Sequence, residues 1–390
     1  MINIKTSNNC CGCTACSSAC SRHAIVMKPD ALGFPYPVVD KSKCVDCGLC
    51  EKVCAFNDNY DVSSNLPMPI AYGARHKRID EVKHSRSGAV FVAISDYVLE
   101  KGGVVYGAGY ADHFRVVHKR SVTKDERDEF RGSKYVQSDI NTVFSQVKKD
   151  LKDGLTVLFS GTPCQTSGLN SYVGEKLRKN LLLIDIICHG VPSPKIWQDY
   201  IKYLERKKKD VICEVNFRDK EKFGWKAHFE SFKFLRGEVI TNRLFTNVFY
   251  EHIMFRHSCA NCHFCNLRRP SDITIGDFWG IENVDKEFNA DNYGVNIMLV
   301  NTQKGAELFE TIKKHLNVIL VNVEDCLQPN LQHPSVPHPK RQEFESFYSK
   351  NGFERTMYQY GFMGWRYKVK WLKKTIGIRV DRLKNAIGLN

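Results

Sequence analysis

Four cysteines spaced Cys10-x2-Cys13-x2-Cys16-x3-Cys20 recur with the same spacing at Cys44-x2-Cys47-x2-Cys50-x3-Cys54. Thiolates at every third residue of a loop wrap one face of a cubane cluster. The fourth cysteine of each run lies too far along to close that cluster and ligates the neighbouring one. On that rule one 4Fe-4S cluster takes Cys10, Cys13, Cys16 and Cys54, and the other takes Cys44, Cys47, Cys50 and Cys20. The crossing ties residues 10–54 into one small unit. Cys-x2-Cys pairs also make structural zinc sites, but three cysteines at steps of three, twice over, exceed what a tetrahedral ion needs. Ser21 and Ala55 stand where proline usually follows the fourth cysteine, a change that bears on loop geometry and potential rather than on ligation. Cys11 is a spare thiol beside Cys10 and a competitor for its ligand position.

A chain of 390 residues has room for two or three domains, so a larger body is expected behind the cluster unit. The sixteen cysteines fall mostly in metal-ligand spacings, and no apolar segment follows the opening MINIKTSNNC, which predicts a cytoplasmic setting rather than secreted disulfides. The apolar run Leu181 to Cys188 is broken by Asp185 and too short to span a bilayer. The net charge of +14 is uneven: from Lys340 to Asn390 twelve Lys and Arg face four Asp and Glu. There Trp365, Tyr367, Val369, Trp371, Leu372, Ile376 and Ile378 alternate with basic residues. Such a tail suits peripheral attachment at the inner membrane face or docking of a partner, against the plainer reading of a solvated terminal helix. No nucleic-acid-binding motif accompanies the charge.

Residues 55–70 are polar and carry prolines, which predicts a linker. Beyond it the pattern is strand, short loop, helix. Ser87 is placed to cap a helix through Leu99, followed by a strand at Val104 to Tyr110. Two apolar runs, Leu155 to Gly161 and Leu181 to Ile187, each lead through a cysteine-bearing loop into a helix. This is the unit of an α/β fold, whose ligands bind at the carboxyl ends of the strands. The loops Gly161-Thr162-Pro163-Cys164-Gln165 and Cys188-His189-Gly190 therefore point at one site. The first offers helix N-terminal amides to an anion or a flavin carbonyl, and the second a soft ligand beside a group titrating near neutrality. Either cysteine alone reads equally well as a small buried hydrophobe.

Cys259-x2-Cys262-x2-Cys265 lacks a fourth cysteine nearby. It resembles a third 4Fe-4S site whose last ligand comes from afar; Cys164 and Cys188 are the candidates, with Cys188 taken as the ligand. Zinc completed by His257 or His263 is the alternative. Asp272 to Gly280 reads as a short strand ending in a tight turn.

The order Ser85-x-Ser87-Gly88, Gly132-Ser133-Lys134-Tyr135, Gly161 to Gln165, Cys188-His189-Gly190 and Asp272-Ile-Thr-Ile-Gly-Asp-Phe-Trp-Gly280 resembles the beta subunit family of coenzyme F-420 hydrogenases and dehydrogenases over roughly residues 70–335, with a ferredoxin module in front. The resemblance implies FAD held by the Ser85 to Gly88 turn, the Gly132 to Tyr135 loop and the Gly161 to Gln165 loop, and a cluster at Cys259, Cys262 and Cys265. It also implies hydride exchange with F-420 or, in bacterial relatives associated with cell-surface polysaccharide synthesis, with another hydride carrier. Ala89 departs from the family's second glycine in the first turn, and no Gly-x-Gly-x-x-Gly fingerprint supports a Rossmann NAD site.

The expected fold class is α+β to α/β: a ferredoxin-like dicluster domain over 1–62 and a mixed α/β flavin-binding body divided at 63–150 and 151–335, with a basic aromatic tail over 336–390. The expected activity is that of an oxidoreductase passing electrons between clusters and FAD, with a redox partner protein or soluble hydride carrier. Lys134 would stabilise anionic reduced flavin and His189 would donate or accept a proton. The alternatives are an electron-transfer subunit without substrate chemistry, and a zinc-rich interaction protein.

Overall fold

The computed structural model describes residues 2, 6–56, 60–365 and 367. Residues 366 and 368–390 of the basic tail, including Val369, Trp371, Leu372, Ile376 and Ile378, lie outside them. Among the described residues no helix is long and apolar enough to cross a membrane.

Near the N-terminus β1 (Ile25–Pro29) and β2 (Pro35–Val39) form an antiparallel hairpin between the two cysteine runs. The body is built on one sheet of eight strands. Its members are β3 (Asn65–His76), β4 (Val104–Ala111), β5 (Arg115–Ser121), β6 (Val157–Gly161) and β7 (Leu181–Ile186); a separate small sheet holds β8 (Ile212–Asn216), β9 (Glu230–Phe234) and β10 (Val239–Asn242). The large sheet is completed by β11 (Ile273–Asp277), β12 (Asn296–Thr302) and β13 (Leu316–Val321), in the spatial order β13-β3-β12-β11-β7-β6-β4-β5. The central four, β11, β7, β6 and β4, are parallel, and the outer pairings are antiparallel. The parallel core explains the unbroken apolar runs: β6 and β7 are covered on both faces, so Val157, Leu158, Phe159, Leu181 and Leu183 are fully buried. Strands from both sides of residue 150 share this one sheet.

Local signals at the strand ends act mostly as expected. Thr162 and Gln165 form a capping box at the start of helix Pro163–Val173, and the Ser193 hydroxyl accepts from the Ile196 amide at the start of helix Pro194–Lys208. The turn before helix Val90–Glu100 differs. Ser87 does not cap it; its Oγ donates to the Val295 carbonyl at 2.6 Å, and the residue that precedes the helix, Ala89, sits in the left-handed region at φ 63°. Ala89 therefore occupies a conformation that favours glycine. The 55–70 stretch is not a free linker: β3 begins at Asn65, and Tyr60 Oη donates to the Arg268 carbonyl at 2.6 Å.

Candidate functional site

Parallel strands leave their carboxyl ends on one edge, and the loops that follow β6, β7 and β11, with Gly107 and Ala108 of β4, line a single cleft of about 1630 Å³ including its open mouth. Ser85, Ser87, Gly132, Ser133, Lys134, Tyr135, Gly161, Thr162, Gln165, Cys188 and His189 all line it. Three other expected residues face elsewhere. Gly88 is packed so closely that an added Cβ would meet the Ala74 carbonyl at 2.3 Å, so this glycine serves the approach of two backbones. Pro163 opens the helix and is buried. Cys164 turns toward Cys11 and away from the cleft.

Several atoms in the cleft are buried without a hydrogen-bond partner: Ser85 Oγ, Arg86 Nε and Nη2, His118 Nδ1 and Arg218 Nε. Buried polar groups in native proteins are almost always satisfied, so a polar ligand fits here. His118 Nε2 faces the Ser160 carbonyl at 3.0 Å, which places the proton on Nε2 and leaves Nδ1 an acceptor. Burial lowers its pKa to about 4. Lys134 Nζ donates to the carbonyls of Glu129 and Arg131, and burial lowers it to about 7. His189 Nε2 lies 2.7 Å from His252 Nε2, and burial followed by the His252 charge lowers it to about 4. His252 Nδ1 lies 2.8 Å from the Val336 carbonyl. His252 Nδ1 donates to that carbonyl, and in the neutral form of the His252 ring Nε2 accepts from His189 Nε2, which leaves His189 Nδ1 an accepting atom.

The cysteines gather at three places. Cys10, Cys13, Cys16 and Cys54 line one cavity, and Cys20, Cys44, Cys47 and Cys50 line another. Backbone amides point at their sulfurs: Gly12 N to Cys10 Sγ at 3.4 Å, Ala24 N to Cys20 Sγ at 3.3 Å and Ile2 N to Cys50 Sγ at 3.2 Å. Burial pushes the Cys10 and Cys54 thiols up and Cys16 further still, so ionising them calls for a metal charge nearby. At the third place Cys188 lies within electrostatic reach of Cys259, Cys164 and Cys262, while Cys262 and Cys265 are in contact. The Val191 amide donates to Cys259 Sγ at 3.4 Å, and burial pushes that thiol up to about 12. His257 is engaged by Glu345 at 2.9 Å, and His263 packs edge-on against Phe56. Among the described residues no three His, Cys, Asp or Glu converge tightly enough for a single metal ion.

The inner N-terminal cavity abuts the body. Cys11 bridges Cys13 and Cys164, holding both thiols down, Cys164 to about 7. Cys13 Sγ lies against Gly168, where an added Cβ would meet it at 2.7 Å. The outer cavity lies toward solvent, with Cys47 exposed.

Comparison with known proteins decides the assignment. Residues 9–57 match the family model described as 4Fe-4S dicluster domain, and residues 154–325 match the model for the C-terminal part of the coenzyme F420 hydrogenase/dehydrogenase beta subunit. The chain carries a region similar to the C-terminal part of the F420 hydrogenase/dehydrogenase beta subunit behind a 4Fe-4S dicluster domain. It is thus an iron–sulfur electron-transfer protein related to the F420 hydrogenase beta subunit. No curated protein matches it. Among solved structures, a chain of the F420-reducing [NiFe] hydrogenase complex from Methanosarcina barkeri aligns with TM-score 0.47 at 15% identity, covering 75% of this chain and 91% of that one.

The beta-subunit-like region supplies Cys188, His189, Arg218, His228, Tyr250, Asp277 and Trp279 to the cleft, whereas Arg86 and His118 come from the region before it. Of these, Arg86, His118, Arg218 and His228 were not legible in the sequence, since no local pattern sets a lone Arg or His apart before the strand ends converge.

Proposed function

We propose that the chain is an iron–sulfur flavoprotein oxidoreductase with three 4Fe-4S clusters and FAD in the cleft, exchanging hydride with F-420, another hydride coenzyme or a small substrate. One observation carries the reading: Cys188 lines the cleft and also belongs to the third cysteine group, which reaches the inner N-terminal cavity through Cys164, Cys11 and Cys13. Sulfur-bearing sites therefore run from an exposed cavity to the floor of a ligand cleft.

The two N-terminal cavities fit clusters held by Cys10, Cys13, Cys16 and Cys54 and by Cys20, Cys44, Cys47 and Cys50, and Cys259, Cys262, Cys265 and Cys188 would hold the third. A flavin supplies the exchange between the one-electron chemistry of clusters and the two-electron chemistry of hydride. Ser85, Ser87, Gly132, Ser133, Tyr135, Gly161, Thr162 and Gln165 would hold it, with the orphaned Ser85 hydroxyl and His118 Nδ1 as ready partners. Lys134, titrating about 7, brings either a positive charge or a proton acceptor to the cleft wall. His189, which faces His252 through Nε2, keeps Nδ1 for exchanging a proton in the cleft.

The division at 1–62, 63–150, 151–335 and 336–390, the cytoplasmic setting and docking through the tail belong to the same proposal; a place in cell-surface polysaccharide synthesis rests on resemblance alone. The exposure of Cys47 favours a second reading, an electron-transfer subunit serving a partner enzyme.

Anaerobic purification with iron, zinc and flavin quantitation, and spectra before and after dithionite, separates the readings. About twelve irons and one FAD per chain, the count that follows from three cubanes, are expected. About eight irons without flavin would leave the electron-transfer subunit. Zinc in place of iron would overturn both.

A further inference from the structure

The β11 end of the cleft holds more buried positive charge than its carboxylates neutralise. Arg86, in the turn before helix Val90–Glu100, lines the cleft. Its Nη1 donates to the Arg218 carbonyl, while Nε and Nη2 are buried and have no hydrogen-bond partner. Arg218 is 3% exposed; it donates to Tyr135 Oη at 3.1 Å, to Asp277 and to the Trp225 carbonyl at 2.8 Å, and its Nε is unpartnered. Lys220, also buried, donates to the carbonyls of Val82, Ser87 and Tyr293. Facing the two arginines, Asp277 is taken by Arg218 and by Trp225 Nε1 at 3.0 Å, while burial lowers Lys220 to about 7. Asp219 acts on Arg86 from further off and accepts from Ser231 Oγ at 2.7 Å.

Buried cations are normally paired, and a guanidinium with two idle donors along one edge matches two oxygens of one anion. Burial and the Arg218 charge already pull the Arg86 pKa down to about 10, the direction expected of a cation lacking its counter-ion.

The same end of the cleft has an aromatic wall. Trp279 is 37% exposed and stacks on Trp225 with centroids 4.7 Å apart, and the Arg218 guanidinium lies 5.2 Å from its ring. His228 and Tyr250, joined by a 2.6 Å hydrogen bond, stand beside it. A planar or sugar ring can pack on such a wall.

We propose that Arg86 and Arg218 form a subsite for an oxyanion, phosphate or carboxylate, carried on a ligand whose ring packs on Trp279. The subsite deepens the reading of the cleft as a ligand site and rests on that reading. Its anion comes either from the pyrophosphate of the flavin or from a separate anionic substrate.

The full chain, purified anaerobically and assayed for FAD, is titrated with inorganic pyrophosphate and with malonate while tryptophan fluorescence is followed, in flavin-loaded and flavin-depleted form. Flavin-depleted protein should bind at least one of the two, and Arg86→Gln should weaken binding about tenfold or more, with partial recovery in Arg86→Lys. Loss of binding when FAD is present assigns the subsite to the flavin; retained binding assigns it to a second ligand. Failure of both anions to bind, or equal affinity in Arg86→Gln, overturns the proposal. A chain that neither carries nor takes up FAD but still binds pyrophosphate through Arg86 refutes the flavin reading and leaves the subsite standing.

Discussion

Arg256 Nε donates to the backbone carbonyl of Cys10 at 2.7 Å, fastening the N-terminal cysteine loop to the turn that opens the third cysteine group. The same guanidinium reaches Gln137 Oε1 at 3.1 Å and the Pro35 carbonyl at 2.9 Å, and lies 4.2 Å from the Tyr36 ring. It is 1% exposed, so these bonds are made away from water. Together with the Gln137 Nε2 bond to the Cys11 carbonyl and the Ser193 hydroxyl bond to the Leu32 carbonyl, this side chain holds the inner cluster cavity against the body.

Arg256→Met should therefore loosen the N-terminal unit before the sheet. A loss of about 2–4 kcal/mol is expected from charge-assisted buried bonds left unmade. Denaturant melts with limited proteolysis check this; an N-terminal unit that stays protected and a midpoint that does not move would contradict it.

Gly168 faces Cys13 from helix Pro163–Val173, and an added Cβ would meet Cys13 Sγ at 2.7 Å and Cys13 Cβ at 2.9 Å. Gly168→Val should displace the cysteine loop, and electron paramagnetic resonance of the reduced protein should show one N-terminal cluster signal altered and the other unchanged. Two unaltered signals would show that the loop gives way freely.

Cys188 and Cys164 are the two candidates for the fourth ligand of the proposed third cluster, and only Cys188 lines the cleft. Cys164 is occupied by Cys11 and by Thr162 Oγ1 at 3.2 Å. Cys188→Ser should lower the iron content by about four per chain, the content of one cubane, while Cys164→Ser retains it. The reverse pattern would move the ligand to Cys164.

His118 titrates at about 4 in the folded chain against 6.5 unfolded, because burial disfavours the imidazolium. Between those values the unfolded chain binds the extra proton, so this contribution to stability is complete above pH 6.5 and falls as pH drops toward 4, by at most about 3 kcal/mol. His118→Gln should flatten the decline. His228, lowered to about 3 by burial and then by Arg218, keeps part of the slope in the variant. Denaturation midpoints measured from pH 7 to 4.5 decide it, and equal slopes in the two proteins would remove His118 from the account.

The sequence by itself determined the features whose physics is local. Cluster ligands recur at steps set by the width of a cubane, so both N-terminal runs could be read from spacing. The apolar runs at β6 and β7, the Thr162 and Gln165 capping box and the loops after those strands follow from neighbours within a few residues. The turn at Ser85 to Ala89 was legible as a motif, but the partner of Ser87 was not, because Val295 lies far along the chain. Tertiary structure alone decided that Cys11 stands between Cys13 and Cys164, that Arg256 holds Cys10, and that Arg86 and Arg218 share one end of the cleft with Trp279. Each of these depends on where distant segments of chain meet, and side-chain type at one position carries no information about a neighbour brought close only when the eight strands pair.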